Sequence, residues 1–196
     1  MKARVVLGVV LIALALAPWI ANARHVDPRD GNDTRGTLDV RKVKSWGPGS
    51  KPGFRIITFR RWTAEQIWDY GQAIVNLDTF GKNRPDYYVV VRSSGSGMKG
   101  TLWRDRKSKS DRRVAKVGVW RPDRRSINMQ IPMSKLRRGK SRVFFAWYVQ
   151  TLFQSNSCRR VCFDRAPNKG RIKDPNGRPT PKPTDTPTPT PTETSP

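Results

Sequence analysis

The chain is poor in the groups that carry acid–base and metal chemistry. It has one histidine, His25, close to the N-terminus. A Ser-His-Asp or Cys-His arrangement therefore has no base in the folded part, and a zinc site has too few ligands. Glutamate is almost missing: Glu65 and Glu193 are the only two. Carboxylates paired for glycoside cleavage would have to be aspartates. Asp69, Asp78, Asp86 and Asp164 are available, and nothing in their spacing marks a pair. No phosphate-cradling glycine loop and no His-rich metal motif occurs. The expectation is a protein that is not an enzyme; a cryptic aspartate-based hydrolase is the catalytic alternative.

Cysteine is equally scarce. Cys158 and Cys162 are the only two. In an exported chain their default state is a disulfide, which by loop-closure entropy is worth roughly 2 kcal/mol for so short a loop. A redox pair would more often be spaced CxxC, and a metal site would need two further ligands. The longest wholly apolar run lies at the N-terminus. Lys2 and Arg4 precede the apolar stretch Val5–Leu16, and Ala21-Asn22-Ala23 follows with small residues at the cleavage positions. This is the pattern of a signal peptide over residues 1–23. The apolar stretch is shorter than the roughly 20 residues a membrane span needs, and Pro18 interrupts it. The chain is expected to be secreted or associated with the cell envelope, with no membrane span in its mature part.

What the sequence has in excess is positive charge: 39 Lys and Arg against 15 Asp and Glu, net +24. Removing residues 1–23 takes away Lys2 and Arg4, so 37 − 15 leaves +22. Such a field attracts anionic polymers and surfaces in a salt-sensitive way. The cations cluster. Arg104, Arg106, Lys107, Lys109, Arg112 and Arg113 sit in one expected loop. Arg121, Arg124 and Arg125 sit at the next turn, and Lys135, Arg137, Arg138, Lys140 and Arg142 lie ahead of a long apolar run. Arg forks grip phosphate, sulfate and carboxylate in two-point contacts. The simpler reading of each cluster is a solvated loop. Export excludes intracellular nucleic acid as a native partner; wall polymers, acidic polysaccharides and extracellular nucleic acid remain.

Alternation at period two dominates the rest. Arg142–Phe153 (RVFFAWYVQTLF) carries Val143, Phe145, Trp147, Val149, Thr151 and Phe153 on one side and is expected to be the central strand. Further strands are expected over 38–43, 54–62, 73–79, 86–93, 98–103, 114–121 and 126–131. Thr63-Ala64-Glu65-Gln66 matches a capping box for a helical turn or two, and Ser134–Arg138 reads as another turn. If Trp103 stands opposite Val114, then Met98, Gly100 and Leu102 share a face with Ala115, Val117 and Val119. A three-residue loop, Pro122–Arg124, would place Ile127 opposite Val119. Trp103 and Trp120 then stand on the polar face, roughly 20 Å apart at about 3.3 Å per residue. They are candidates for stacking on an extended polymer, or for a protein partner, unless other parts of the chain cover them. The expected fold is all-β: an antiparallel β-sandwich of about eight strands, jelly-roll-like, over residues 27–167. Residues 168–196 turn basic and then Pro/Thr-rich, a composition of disordered tails or stalks.

Residues 27–39 (DPRDGNDTRGTLD) gather four of the 13 aspartates. Two readings fit: an ordinary Asp/Asn/Gly turn, or a structural calcium ion held by Asp30, Asp33 and Asp39. The spacing is not that of an EF-hand, which needs a Glu at its twelfth position.

Over residues 27–167 the chain resembles the β-sandwich modules of secreted bacterial proteins, among them jelly-roll carbohydrate-binding modules and accessory domains of exported hydrolases. The likeness lies in Leu38-Asp39-Val40 after the aspartate-rich stretch, Leu77-Asp78-Thr79, Arg121-Pro122-Asp123, Ile131-Pro132 and Cys162-Phe163-Asp164-Arg165-Ala166-Pro167. The resemblance implies a structural calcium near the first strand, with Asp33 and Asp39 as candidates. The wealth of arginine departs from a binder of neutral sugars.

Overall fold

The computed structural model describes residues 27–46, 52–64, 71–95, 97–136, 146–154 and 161–173. Ten strands account for more than half of them: β1 Val40–Trp46, β2 Gly53–Thr58, β3 Gln72–Asp78, β4 Tyr87–Ser94, β5 Gly97–Arg104, β6 Arg112–Trp120, β7 Ser126–Gln130, β8 Ala146–Gln154, β9 Val161–Ala166 and β10 Ile172–Lys173. The only helical element among the described residues is a 3-10 turn, Met133–Lys135, where a turn was expected slightly later. The capping-box segment beyond Ala64 lies outside the described residues. No helix among the described residues is long and apolar enough to cross a membrane.

The sheet is antiparallel throughout, in the order β1-β2-β7-β6-β5-β4-β3-β8-β10, with β9 also on β8. β9 and β10 share one edge of β8: Val161–Ala166 pairs with Val149–Gln154, and Ile172–Lys173 with Ala146 and Trp147. The alternation expected from sequence sorts inside from outside. Ala73, Val75 and Leu77 of β3 are buried, as are Tyr87, Val89 and Val91 of β4 and Trp147, Val149, Thr151 and Phe153 of β8. Phe54 on β2 meets Trp147 on β8 edge to face, ring centroids 5.0 Å apart. Those strands are six ladder steps apart in the sheet. The sheet must therefore fold back on itself around one core. β6 joins the two wings, with Val117 paired to β5 and Gly118–Trp120 paired to β7.

Two registers bear directly on the outer face. β5 and β6 pair as the sorting predicts up to Leu102 opposite Ala115, and then a bulge sets Trp103 opposite Arg113 instead of Val114. β6 and β7 are slipped by two from the expected pairing: Val119 stands opposite Met129, and Trp120 opposite Asn128, not Ser126. A slip of two leaves every side chain on its expected face. The longer connection has a cause. The Asp123 carboxylate accepts hydrogen bonds from the Arg125 amide (2.7 Å) and the Ser126 hydroxyl (2.9 Å). The carbonyls of Arg125 and Arg124 accept from the amides of Thr58 and Trp62. These residues are thus held by β2 and its extension.

β9 was not expected as a strand. It brings Cys162, Asp164 and Ala166 inward and stands beside the start of β1. No regular ladder joins the two strands; side chains do. The Val40 amide donates to Asp164 Oδ2 at 2.5 Å, and the Thr151 hydroxyl donates to the Leu38 carbonyl at 2.8 Å. Asn168 Nδ2 donates to Asp33 Oδ2 at 2.7 Å, so residues just past Pro167 are tied to the sheet as well. Gly36 fits here because a side chain would not: a Cβ would fall 1.8 Å from Cε2 of Phe153. Cys158 lies outside the described residues, and with it the expected pairing to Cys162.

Candidate polyanion-binding face

The outward residues of β3, β4 and β5 form one shallow groove of about 460 Å³. Its floor is Ile74, Val90, Tyr88 and Trp103, and its walls include Arg92, Lys99, Gln72 and Thr101. None of the described residues lining it is acidic. Tyr88 stands opposite Trp103 across the β4–β5 ladder, and their rings stack at 6.4 Å with an 8° interplanar angle. The Tyr88 hydroxyl donates to Asp111 Oδ2 at 2.6 Å. Burial and that bond push the Tyr88 pKa up to about 12, so the phenol stays neutral. The cations follow from the same ladders: Arg92 is paired with Lys99, Thr101 with Lys116, and Trp103 with Arg113. The result is an aromatic and aliphatic strip bordered by four cations.

The expected loop cluster is found at the end of this face. Lys107, Lys109, Arg112 and Arg113 are exposed, while Arg104 and Arg106 are half-buried. Arg106 is committed to the loop itself, donating from Nε (2.8 Å) and Nη2 (2.5 Å) to the Ser110 carbonyl. Asp105 and Asp111 interleave with these cations. Arg137, Arg138, Lys140 and Arg142 lie outside the described residues.

Trp120 does not share the groove of Trp103. It is 44% exposed and packs edge to face on Trp46, centroids 6.3 Å apart. With Arg55, Lys44, Asn128 and Gln130 these rings line a second groove of about 530 Å³. Trp46 can lie there because it passes over Gly53, where any Cβ would fall 2.3 Å from the indole. Tyr88, Arg92, Lys99 and Trp46 were not singled out from sequence. Period-two alternation does put Tyr88 and Arg92 on the outward side of β4, but only the ladder shows which aromatic ring meets which.

The aspartates weighed as acid–base candidates have other partners. Asp78 Oδ1 accepts from the amides of Phe80 (3.2 Å), Gly81 (2.6 Å) and Lys82 (3.2 Å). Asp86 accepts from the Thr79 amide (2.7 Å) and hydroxyl (2.5 Å). Both shape the β3–β4 turn. Asp69 lies outside the described residues. Asp164 belongs to the β1–β9 seam, where one ligand oxygen each of Asp30, Asp33 and Asp164 lies within 4.8 Å of the others. Asp39 is fully buried beside them.

Fold and face together define an all-β antiparallel domain with an aromatic groove bordered by cations. No protein family, no curated protein and no solved structure matches this chain.

Proposed function

We propose that this is an exported, non-catalytic β-sandwich module that binds a linear anionic polymer along the outer face of β3–β6. The observation that carries the reading is the stacked Tyr88–Trp103 pair flanked by Arg92, Lys99, Arg113 and Lys116. Flat rings accept sugar or base faces, while fixed cations accept the polymer's phosphate, sulfate or carboxylate groups. The net charge of the chain draws such polymers from a distance.

The test is a salt titration of binding to a sulfated polysaccharide, a polyuronate and single-stranded DNA, with a neutral glucan as control. A steep negative slope of log K against log salt is expected for at least one polyanion, and Trp103→Ala should weaken binding about tenfold, near the lower end of what one stacked ring contributes. Failure of all three polyanions to bind at low salt would remove the reading. A second reading, an envelope assembly protein, draws on the exposed Trp120 and on Val161 and Phe163, which are 52% and 50% exposed. It predicts that Trp120→Ala impairs assembly without changing polymer affinity.

A further inference from the structure

The outer face of β1, β2, β7 and β6 carries a groove of its own, away from the Tyr88–Trp103 strip. Two rows of outward residues build it. Lys44, Arg55, Asn128 and Trp120 follow one another across the four strands, and beside them run Trp46, Gly53, Gln130 and Gly118. The two glycines give the second row its depth. Trp46 lies over Gly53, and a Cβ on Gly118 would meet nothing within 4 Å. The Trp46 and Trp120 planes stand at 62° with their centroids 6.3 Å apart, so the indoles form a corner and not a flat platform. The lining is mixed in sign. Its cations are Lys44 and Arg55, and Arg55 Nε already donates to Asn128 Oδ1 at 2.8 Å. Its acid is Asp27, paired with Lys42 at 2.8 Å. In a chain of net +24, an acid beside an aromatic corner and two amides suits a polyanion poorly. It suits a nearly neutral ligand with aliphatic rings and carbonyl oxygens.

One segment of this same chain has that chemistry. Residues 179–191 (PTPKPTDTPTPTP) hold six prolines in 13 positions. A polyproline-type chain has no internal hydrogen bonds, so its carbonyls are free to accept, and aromatic-lined grooves take it up at low entropic cost. The segment also starts close by. Only residues 174–178 separate it from Lys173, the end of β10. β10 ends level with Trp46: Ile172 pairs with Trp147, the Trp147 ring meets Phe54, and Phe54 pairs with Ser45, the residue before Trp46. With packed layers about 10 Å apart and strands about 4.8 Å apart, the path from Lys173 round to the groove is roughly 20–30 Å. Residues 174–178 span up to about 16 Å, and residues 179–191 add about 40 Å at about 3.1 Å per residue.

We infer that residues 179–191 fold back and dock in this groove on their own chain. Their proline rings lie in the Trp46–Trp120 corner, and their carbonyls accept from the Arg55, Asn128 and Gln130 side chains. Asp185, between the two runs of alternating prolines, comes beside the exposed Lys44. A short tether holds the segment at an effective concentration of order 1 mM, so a contact with a Kd of about 0.1 mM is about nine-tenths formed. Docking covers Trp120, which is otherwise 44% exposed.

Docking of the tail does not depend on polymer binding, and its probe is a synthetic peptide of residues 179–191. Full-length protein is compared with a full-length variant in which the six prolines of that segment are alanine, a change outside every strand of the sheet. Indole N–H signals are followed by NMR and assigned with Trp46→Phe and Trp120→Phe. The Trp46 and Trp120 signals should differ between the two chains while that of Trp103 stays in place. The peptide should bind the variant with a Kd of about 0.1 mM and the unaltered chain about tenfold more weakly, because its own tail competes. Trp120→Ala added to the variant should weaken the peptide by about tenfold or more. Identical indole spectra in the two chains overturn the inference, and so does a peptide that binds neither chain or binds both equally. If the unaltered chain takes on the variant's spectrum when diluted from about 500 µM to about 10 µM, the occupant is the tail of a second copy, and docking on the same chain is wrong. If a sulfated polysaccharide shifts the Trp120 signal before that of Trp103, the groove belongs to the polymer and the inference also fails.

Discussion

The packing of the N-terminal segment over the end of β8 can be tested by a double-mutant cycle on Gly36 and Phe153. Gly36 is buried against the Phe153 ring, and a Cβ placed on it would meet Cε2 at 1.8 Å, Cζ at 2.7 Å and Cδ2 at 2.9 Å. Phe153 is 0% exposed and cannot swing out without opening the core. Gly36→Ala therefore forces an off-rotamer ring or a backbone shift, at about 1–3 kcal/mol. Phe153→Leu removes the two nearest atoms, Cε2 and Cζ, and costs about 1–2 kcal/mol by itself as a large-to-small core change. In the Phe153→Leu background the added methyl has room, so the steric part of the Gly36→Ala cost should vanish, while the part owed to the Gly36 φ of 159° stays. The expected coupling is about 1–2 kcal/mol, favourable to the double variant. Urea denaturation reads it directly. At a slope of about 2 kcal/mol per molar urea, Gly36→Ala should lower the midpoint by about 1 M in the wild-type background and by distinctly less in the Phe153→Leu background. Costs that simply add would refute the contact, and with it the packing of the N-terminal segment over the end of β8.

Three further outcomes are expected. Burial lifts Asp30 to about 7 and Asp39 to about 6, with repulsion from Asp164 adding to both, against 3.8 for a free aspartate. The folded protein then binds more protons than the unfolded chain between about pH 4 and pH 7, so stability rises as pH falls through that window. The charged groups acting on this pair are Asp33, Asp164 and Arg60; a Tm that drops between about pH 7.5 and about pH 5.5 contradicts the assignment. Asp78→Ala strips three amides of the β3–β4 turn of their acceptor and should cost about 1–3 kcal/mol, read as a shift in the urea midpoint with unchanged slope. Lys99→Ala combined with Lys116→Ala should flatten the salt dependence of polyanion binding by about two units of log–log slope if each cation meets one anionic group. An unchanged slope would place the polymer elsewhere.

Much of the outer face was legible because alternation is a local property. Tyr88, Arg92, Lys99, Trp103 and Lys116 point outward for the same reason that Val89, Val91 and Leu102 point inward: successive Cβ atoms of a strand leave opposite faces. A register slip of two at β6–β7 did not disturb that sorting. It did change the company Trp120 keeps, because Asp123 and the carbonyls of Arg124 and Arg125 held the turn open. β9 escaped notice because its inward positions are Cys162, Asp164 and Ala166. An aspartate on the core side defeats a hydrophobic pattern, and the signal available was the reverse one, a charged residue where an apolar one belongs.

The sequence by itself determined the sign and excess of charge, the scarcity of histidine, the strand class and the side to which each strand residue turns. These depend on composition and on neighbours one or two residues away. Tertiary structure alone decided that Trp103 stacks on Tyr88 while Trp120 meets Trp46, and that Asp164 joins Asp30 and Asp33. The contact from Val40 to Asp164 spans 124 residues of chain, and that from Asp33 to Asn168 spans 135. No local pattern encodes such meetings; they arise when a twisted sheet folds back until its two ends stand side by side.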